Sequence, residues 1–192
     1  MAKIIYIHGF RSSGDSEKSK QLKAAFPNHT VVAPNLSANP KQAIQQLHNI
    51  ISTDIQPTIV VGTSLGGFYA TYLACIYDVP AFIINPSLEP HISLKSKVGK
   101  YKRFGSDEDY DFEGPYVDDL KVLFDKLHAS DKDSNNLHFY LSTDDDVIKF
   151  DKLDTLFPNK RGVKTFDNAG HRFSRFPEIF PDIQNILNQF KK

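Results

Sequence analysis

Residues 58–74, TIVVGTSLGGFYATYLA, decide how this chain is read. A β-branched run rises to Gly62, one serine stands at position 64, and Gly66 and Gly67 open a run of helical character. Packing alone gives no reason to end a buried strand in a serine boxed by glycines. Gly62-Thr63-Ser64-Leu65-Gly66 matches G-x-S-x-G, in which a nucleophilic serine takes a sharp strand-to-helix turn and glycines relieve the crowding. Such a turn lifts the hydroxyl above the carboxyl edge of a sheet, at a helix N-terminus whose dipole favours a developing anion. With 10 glycines and 15 serines in 192 residues, the pattern arises by accident with a frequency of about 0.04. The competing role is a serine cap on an ordinary Gly-rich connection.

Outward from this stretch, short apolar runs alternate with longer helical ones. The β-type runs cover residues 3–8, 30–34, 58–63, 81–86, 137–143 and 162–167. The first four are nearly continuous in apolar residues, as parallel strands covered on both faces require, and the last two lean toward alternation, as nearer a sheet edge. Between them, Asn39 precedes Pro40 as a cap, and Ile44, Leu47 and Ile51 share one helical face. Val117, Leu120, Phe124 and Leu127 repeat the spacing, as do Ile179, Ile183, Ile186 and Phe190, with Pro181 tolerable in the first turn. Strand and helix alternating end to end predict an α/β fold with a mostly parallel sheet. Residues 93–116 break the rhythm, basic first and acidic second. They are expected to be a solvated loop or short helices, compatible with a small cap or lid over an active site.

At 192 residues the chain fits a single domain, 1–192, with 23 basic and 23 acidic side chains. That balance lacks the footprint of a nucleic-acid or polybasic membrane binder, and no apolar stretch approaches the ~20 residues of a membrane span. The start is too short in apolar residues for a signal peptide. Cys75, the single cysteine, excludes an intramolecular disulfide framework, fits a reducing cytosol and is expected to be a buried structural thiol. The expectation is a cytoplasmic protein.

A serine hydroxyl needs a base. Of seven histidines, His171 stands in a Gly-containing loop after the last strand and before the last helix, where a sheet of this kind delivers one. The base needs a carboxylate to fix its tautomer. Asp144, Asp145 and Asp146 follow the fifth strand; Asp145 is the choice, and its neighbours are rivals one residue of register away. The other use of such a run is turn chemistry and capping of the helical run after it. The order Ser64, Asp145, His171 is that of α/β-hydrolases. The first strand ends in His8-Gly9-Phe10, so the amides of Phe10 and Leu65 are the expected oxyanion donors, each worth roughly 3 kcal/mol of barrier, with His8 orienting the loop. Phe68, Leu88 and Tyr116 join His8 and Gly9 as candidate pocket neighbours.

Other chemistries find no support. Gly9 to Ser16 approaches a phosphate-binding loop, but Asp15 holds the position that requires lysine. G-x-G-x-x-G, H-E-x-x-H and a calcium loop do not occur, so no metal and no cofactor is implied.

The segments IIYIHGFRSS, VVGTSLGGFYATYLA, INPSLEP, TDDDVI and NAGHRF together resemble the small single-domain bacterial α/β-hydrolases of the YqiA/YcfP type, over nearly the whole chain. The resemblance implies Ser64 as nucleophile, His171 as base, Asp145 as acid, and an esterase or thioesterase acting on a small-molecule acyl substrate. Members often carry glycine and a single aspartate where this chain has Asp144-Asp145. The expected architecture is a compact three-layer sandwich with about six mainly parallel strands and a small polar cap. A peptidase or amidase on the same fold and a catalytically silent binding protein are the alternatives.

Overall fold

The continuous apolar runs become a sheet buried on both faces. The computed structural model describes residues 1–53, 55–129 and 135–190. In chain order the elements are β1 (Lys3–Ile7), α1 (Glu17–Ala25), β2 (Thr30–Val32), α2 (Pro40–Ser52), β3 (Thr58–Thr63), α3 (Leu65–Tyr77), β4 (Ala81–Ile84) and α4 (Pro90–Ser93). There follow β5 (Gly99–Lys102), β6 (Asp109–Phe112), α5 (Gly114–His128), β7 (Leu137–Ser142), α6 (Leu153–Leu156), β8 (Gly162–Phe166) and α7 (Phe180–Gln189). Six strands form one sheet in the order β2-β1-β3-β4-β7-β8, every neighbouring pair parallel.

Alternate residues of β1 serve opposite faces. Ile5 and Ile7 share one core cluster with Leu47 of α2, Leu73 of α3 and Leu120 of α5; Ile4 and Tyr6 share the other with Leu22 of α1 and Ile183 of α7. Ile4, Ile5 and Ile7 are fully buried, each stabilising the fold by roughly 1.5–3 kcal/mol. The result is the expected three-layer sandwich, an α/β-hydrolase architecture. β8 is an exposed edge strand, and β7 lies one place inside it.

Local signals hold at α2. Asn39 Oδ1 accepts from the amides of Lys41 (3.0 Å) and Gln42 (3.2 Å), Pro40 opens the helix, and Ile44, Leu47 and Ile51 are buried. In α7, Pro181 sits in the first turn as expected, but Leu187 takes the inner position while Phe190 is exposed. Cys75 is only partly buried.

Residues 93–116 depart from the expected loop or short helices. After α4 and one 3₁₀ turn, β5 and β6 pair antiparallel as a hairpin, with Tyr101 opposite Tyr110. Tyr110 and Phe112 turn inward to the core while Asp109 and Asp111 face out. That alternation is what a strand with one wet face requires.

The topology also fixes where chemistry gathers. From β1 the chain runs outward to β2 along one face, then returns past β1 to β3 along the other. This reversal opens a crevice at the carboxyl ends of β1 and β3, the usual ligand position in an open parallel sheet.

Candidate active site

Ser64 occupies that crevice in a conformation few side chains adopt. Its backbone has φ +54° and ψ −119°, between β3 and α3. The strain is held by Ser64 N–H donating to Ile84 O (3.0 Å) and by Ser64 O accepting from Gly67 (2.9 Å) and Ser87 (3.0 Å). Strain of this kind persists only where surroundings over-determine it.

The flanking glycines supply space rather than torsional freedom, since neither has positive φ. A Cβ at Gly62 would stand 2.7 Å from Ala70 Cβ, and one at Gly66 would stand 2.6 Å from the Ile7 carbonyl carbon. Their absence lets α3 sit directly on β1 and β3. Across the crevice, a Cβ at Gly9 would lie 3.2 Å from Ser64 Cβ. Gly9 therefore lets the loop after β1 come down onto the serine.

The amides of Leu65, the residue after Ser64, and of Phe10, the residue after Gly9, have no acceptor among the described residues. Gly9 O, the other end of the Gly9–Phe10 peptide, accepts from His8 Nδ1 (2.8 Å) and Ser12 N (3.1 Å). His8 Nε2 accepts from Leu36 N (3.1 Å), so the proton sits on Nδ1. His8 is 2 % exposed; burial brings its pKa down to about 4, with the Arg103 charge acting in the same direction. It is a neutral orienting group, not a titrating base.

Asp145 lies in the turn after β7, and its Oδ2 stands 2.8 Å from His171 Nδ1. Its Oδ1 accepts from Val147 N and Ile148 N, both at 2.8 Å. Turn chemistry and the histidine partner thus fall on one side chain, one oxygen each. The Asp145 side chain is 1 % exposed and His171 23 %. Asp144 has a different job: its Oδ1 accepts from Ser142 Oγ and from the amides of Ala169 and Gly170, both at 3.1 Å, in the loop carrying His171. The Ser142 hydroxyl first, then the Gly170 amide, lower the Asp144 pKa. Asp146 is exposed. Ser64 Oγ and His171 are not hydrogen-bonded among the described residues.

Asn85 was not among the expected residues. It is 1 % exposed, has φ +40°, and its Nδ2 donates to Gly170 O (2.9 Å) and His171 O (3.1 Å). Its Oδ1 accepts from Ser142 N (2.8 Å). The only trace in sequence is Asn-Pro directly after an apolar strand. Of the expected pocket neighbours, Phe68 and Leu88 are buried in the cluster that holds Leu65, and Tyr116 packs at its margin against Phe112. Among the described residues no group of His, Cys, Asp or Glu could hold a metal ion, and no helix is long and apolar enough to cross a membrane.

The comparisons follow the geometry. UPF0227 protein YcfP of Escherichia coli (strain K12 / DH10B) is 26% identical over 180 residues, covering 87% of this chain and 99% of that one. A UPF0227 protein of Klebsiella pneumoniae (strain 342) matches to the same extent. Among solved structures, Est1E from Butyrivibrio proteoclasticus superposes with TM-score 0.73 at 10% identity, covering 98% of this chain and 88% of that chain. Mouse alpha/beta hydrolase domain-containing protein 10 gives 0.72 at 13%, covering 97% and 90%. These structures share the fold. A family model described as "Uncharacterised protein family (UPF0227)" matches residues 3–188, and the chain belongs to that family.

Proposed function

We propose that this protein is a serine hydrolase acting on small acyl esters or thioesters through Ser64, His171 and Asp145. The observation that carries the reading is the strained Ser64 backbone, φ +54°, together with the Phe10 and Leu65 amides that have no acceptor among the described residues. A capping serine needs neither. The Asp145–His171 pair on the same sheet edge supports it, as does the shared fold of polyneuridine aldehyde esterase, with TM-score 0.61 at 16% identity.

In this mechanism Asp145 Oδ2 keeps the His171 proton on Nδ1 and leaves Nε2 free as the base. His171 takes the Ser64 proton as Oγ attacks the acyl carbon, and the carbonyl oxygen becomes an oxyanion held by the Phe10 and Leu65 amides. The intermediate collapses, His171 gives its proton to the leaving alkoxide or thiolate, and an acyl-serine remains. Water, deprotonated by His171, then repeats the sequence and releases the acid. The structural parts serve an acyl carbon; they do not select the leaving group.

The test is covalent labelling. A fluorophosphonate probe should modify the wild-type chain at Ser64 and leave Ser64→Ala unmodified. Equal labelling of the two, or none of the wild type, would sink the reading. Matched ester, thioester and amide substrates then rank the leaving groups.

A further inference from the structure

The hairpin β5–β6 is fastened to the Gly9 loop rather than resting above it. Phe10 inserts its ring among Tyr101, Tyr110 and Phe112, edge-on to each, at centroid distances of 5.8, 5.2 and 5.3 Å. Phe104 N donates to Arg11 O (2.8 Å), and Arg11 Nε returns a bond to Lys102 O (3.1 Å). The Arg11 guanidinium lies over the rings of Tyr101 and Phe104.

Arg103, the residue following β5, is 5 % exposed, although an arginine is rarely buried without several partners. Its Nη1 donates to Ser12 O (2.7 Å) and its Nη2 to Leu36 O (2.6 Å). Glu108 Oε1 lies 2.7 Å from its Nε, out of line for a hydrogen bond, as a charge partner. The Tyr110 ring stacks 5.0 Å away.

Ser12 and Leu36 are not arbitrary anchors. Ser12 N–H donates to Gly9 O, and Leu36 N–H donates to His8, which in turn donates to Gly9 O. In a planar trans peptide the C=O and N–H point in opposite directions, so whatever fixes Gly9 O aims Phe10 N–H. Resting on the hydrolase reading, we propose that Arg103 is a positioning residue for the oxyanion site: it grips the carbonyls of the two residues whose amides orient the Gly9–Phe10 peptide. The hairpin is then a buttress, and the oxyanion site is built jointly by the sheet and by an insertion distant in sequence. Only a guanidinium suits the place, because its planar fork reaches two carbonyls at once while an ammonium is a point donor.

The experiment uses the full chain with Arg103→Gln and Arg103→Lys, p-nitrophenyl butyrate as substrate and a trifluoromethyl ketone as inhibitor. The ketone forms a serine-bound alkoxide that sits where the oxyanion does. Both variants should lose about 10- to 100-fold in kcat, with KM within about threefold, because a misaimed donor is felt only as charge develops. Affinity for the ketone should weaken by the same factor as kcat. The acid limb of the kcat/KM pH profile should stay in place, since His171 and Asp145 are untouched. The proposal is overturned if kcat stays within about threefold of wild type in either variant, if the loss lies in KM, or if ketone affinity does not follow kcat. Should Arg103→Gln not fold, Arg103→Lys decides alone by the same readouts. Wild type failing to label at Ser64 overturns the hydrolase reading and this proposal with it; labelled wild type beside fully active variants overturns this proposal alone.

Discussion

Asp145 holds His171 with one oxygen and its own turn with the other: Oδ2 is 2.8 Å from His171 Nδ1, and Oδ1 accepts the Val147 and Ile148 amides. Both oxygens being committed, the carboxylate has no freedom to swing away from the imidazole. A change of Asp145 to Asn keeps the volume but puts an NH₂ against one of those partners.

The three aspartates should therefore separate cleanly. Asp145→Asn should lower kcat by ~10³-fold or more, through the wrong histidine tautomer. Asp144→Asn should lose about 5- to 20-fold, by loosening the Ala169–Gly170 loop rather than by touching the imidazole. Asp146→Asn should stay within about twofold. Turnover of one ester by the three proteins checks this; near-normal turnover in Asp145→Asn would remove it from the site.

Asn85→Leu removes three hydrogen bonds, one buried and two partly buried, while keeping the branching of the side chain. It also places a branched side chain at φ +40°, a region asparagine tolerates far better. The expected cost is about 2–4 kcal/mol of stability and at least tenfold in kcat, read from urea unfolding and turnover. A variant as stable as wild type would show that the loops hold themselves.

The glycines divide by what surrounds them. Gly66→Ala drives a methyl into the Ile7 carbonyl and should cost about 3 kcal/mol or more. Gly170→Ala meets nothing within 4 Å and suffers only its φ of +61°, a cost of ~1–2 kcal/mol. Paired urea midpoints test the order, and a reversed ranking would refute it.

Stability should fall as pH drops from about 6.5 toward 4. His8 is neutral in the fold over that window, its pKa brought down to about 4, whereas the unfolded chain protonates at its ordinary value. The unfolded state then binds the extra proton, so stability is present above pH ~6.5 and is withdrawn below it, by on the order of 3 kcal/mol at pH 4. Arg103 and Glu108 are the charges that face His8, and His48, His91, His128 and His138 add in the same direction. His8→Gln should flatten the slope between pH 7 and 5; equal slopes for the two proteins would contradict the assignment.

The strands were legible because each central run is apolar on both faces, and the Ser64 turn because glycine is needed where two backbones nearly touch. The hairpin was not. Its alternation lasts four residues a strand, Gly99–Lys102 and Asp109–Phe112, too few to stand out from a charged loop. Asn85 and Arg103 were hidden for another reason: their hydrogen-bond partners lie 57–86 and 67–91 residues away. No local pattern marks a side chain whose meaning is long-range. The aspartate triplet marked the turn, but which of its members meets His171 depends on which carboxylate turns inward.

The turn Asn85-Pro86-Ser87 ties Ser64 to the loop that carries His171, through Ser87 N–H at one end and Asn85 Nδ2 at the other. During synthesis the serine, its elbow and the Gly9 loop all emerge before β7 and β8 exist. At that stage His171 does not yet exist, and Asn85 lacks the Gly170 and His171 carbonyls that it holds in the fold. On the hydrolase reading, reactivity waits until the loop after β8 has docked on Asn85, so folding itself arms the serine.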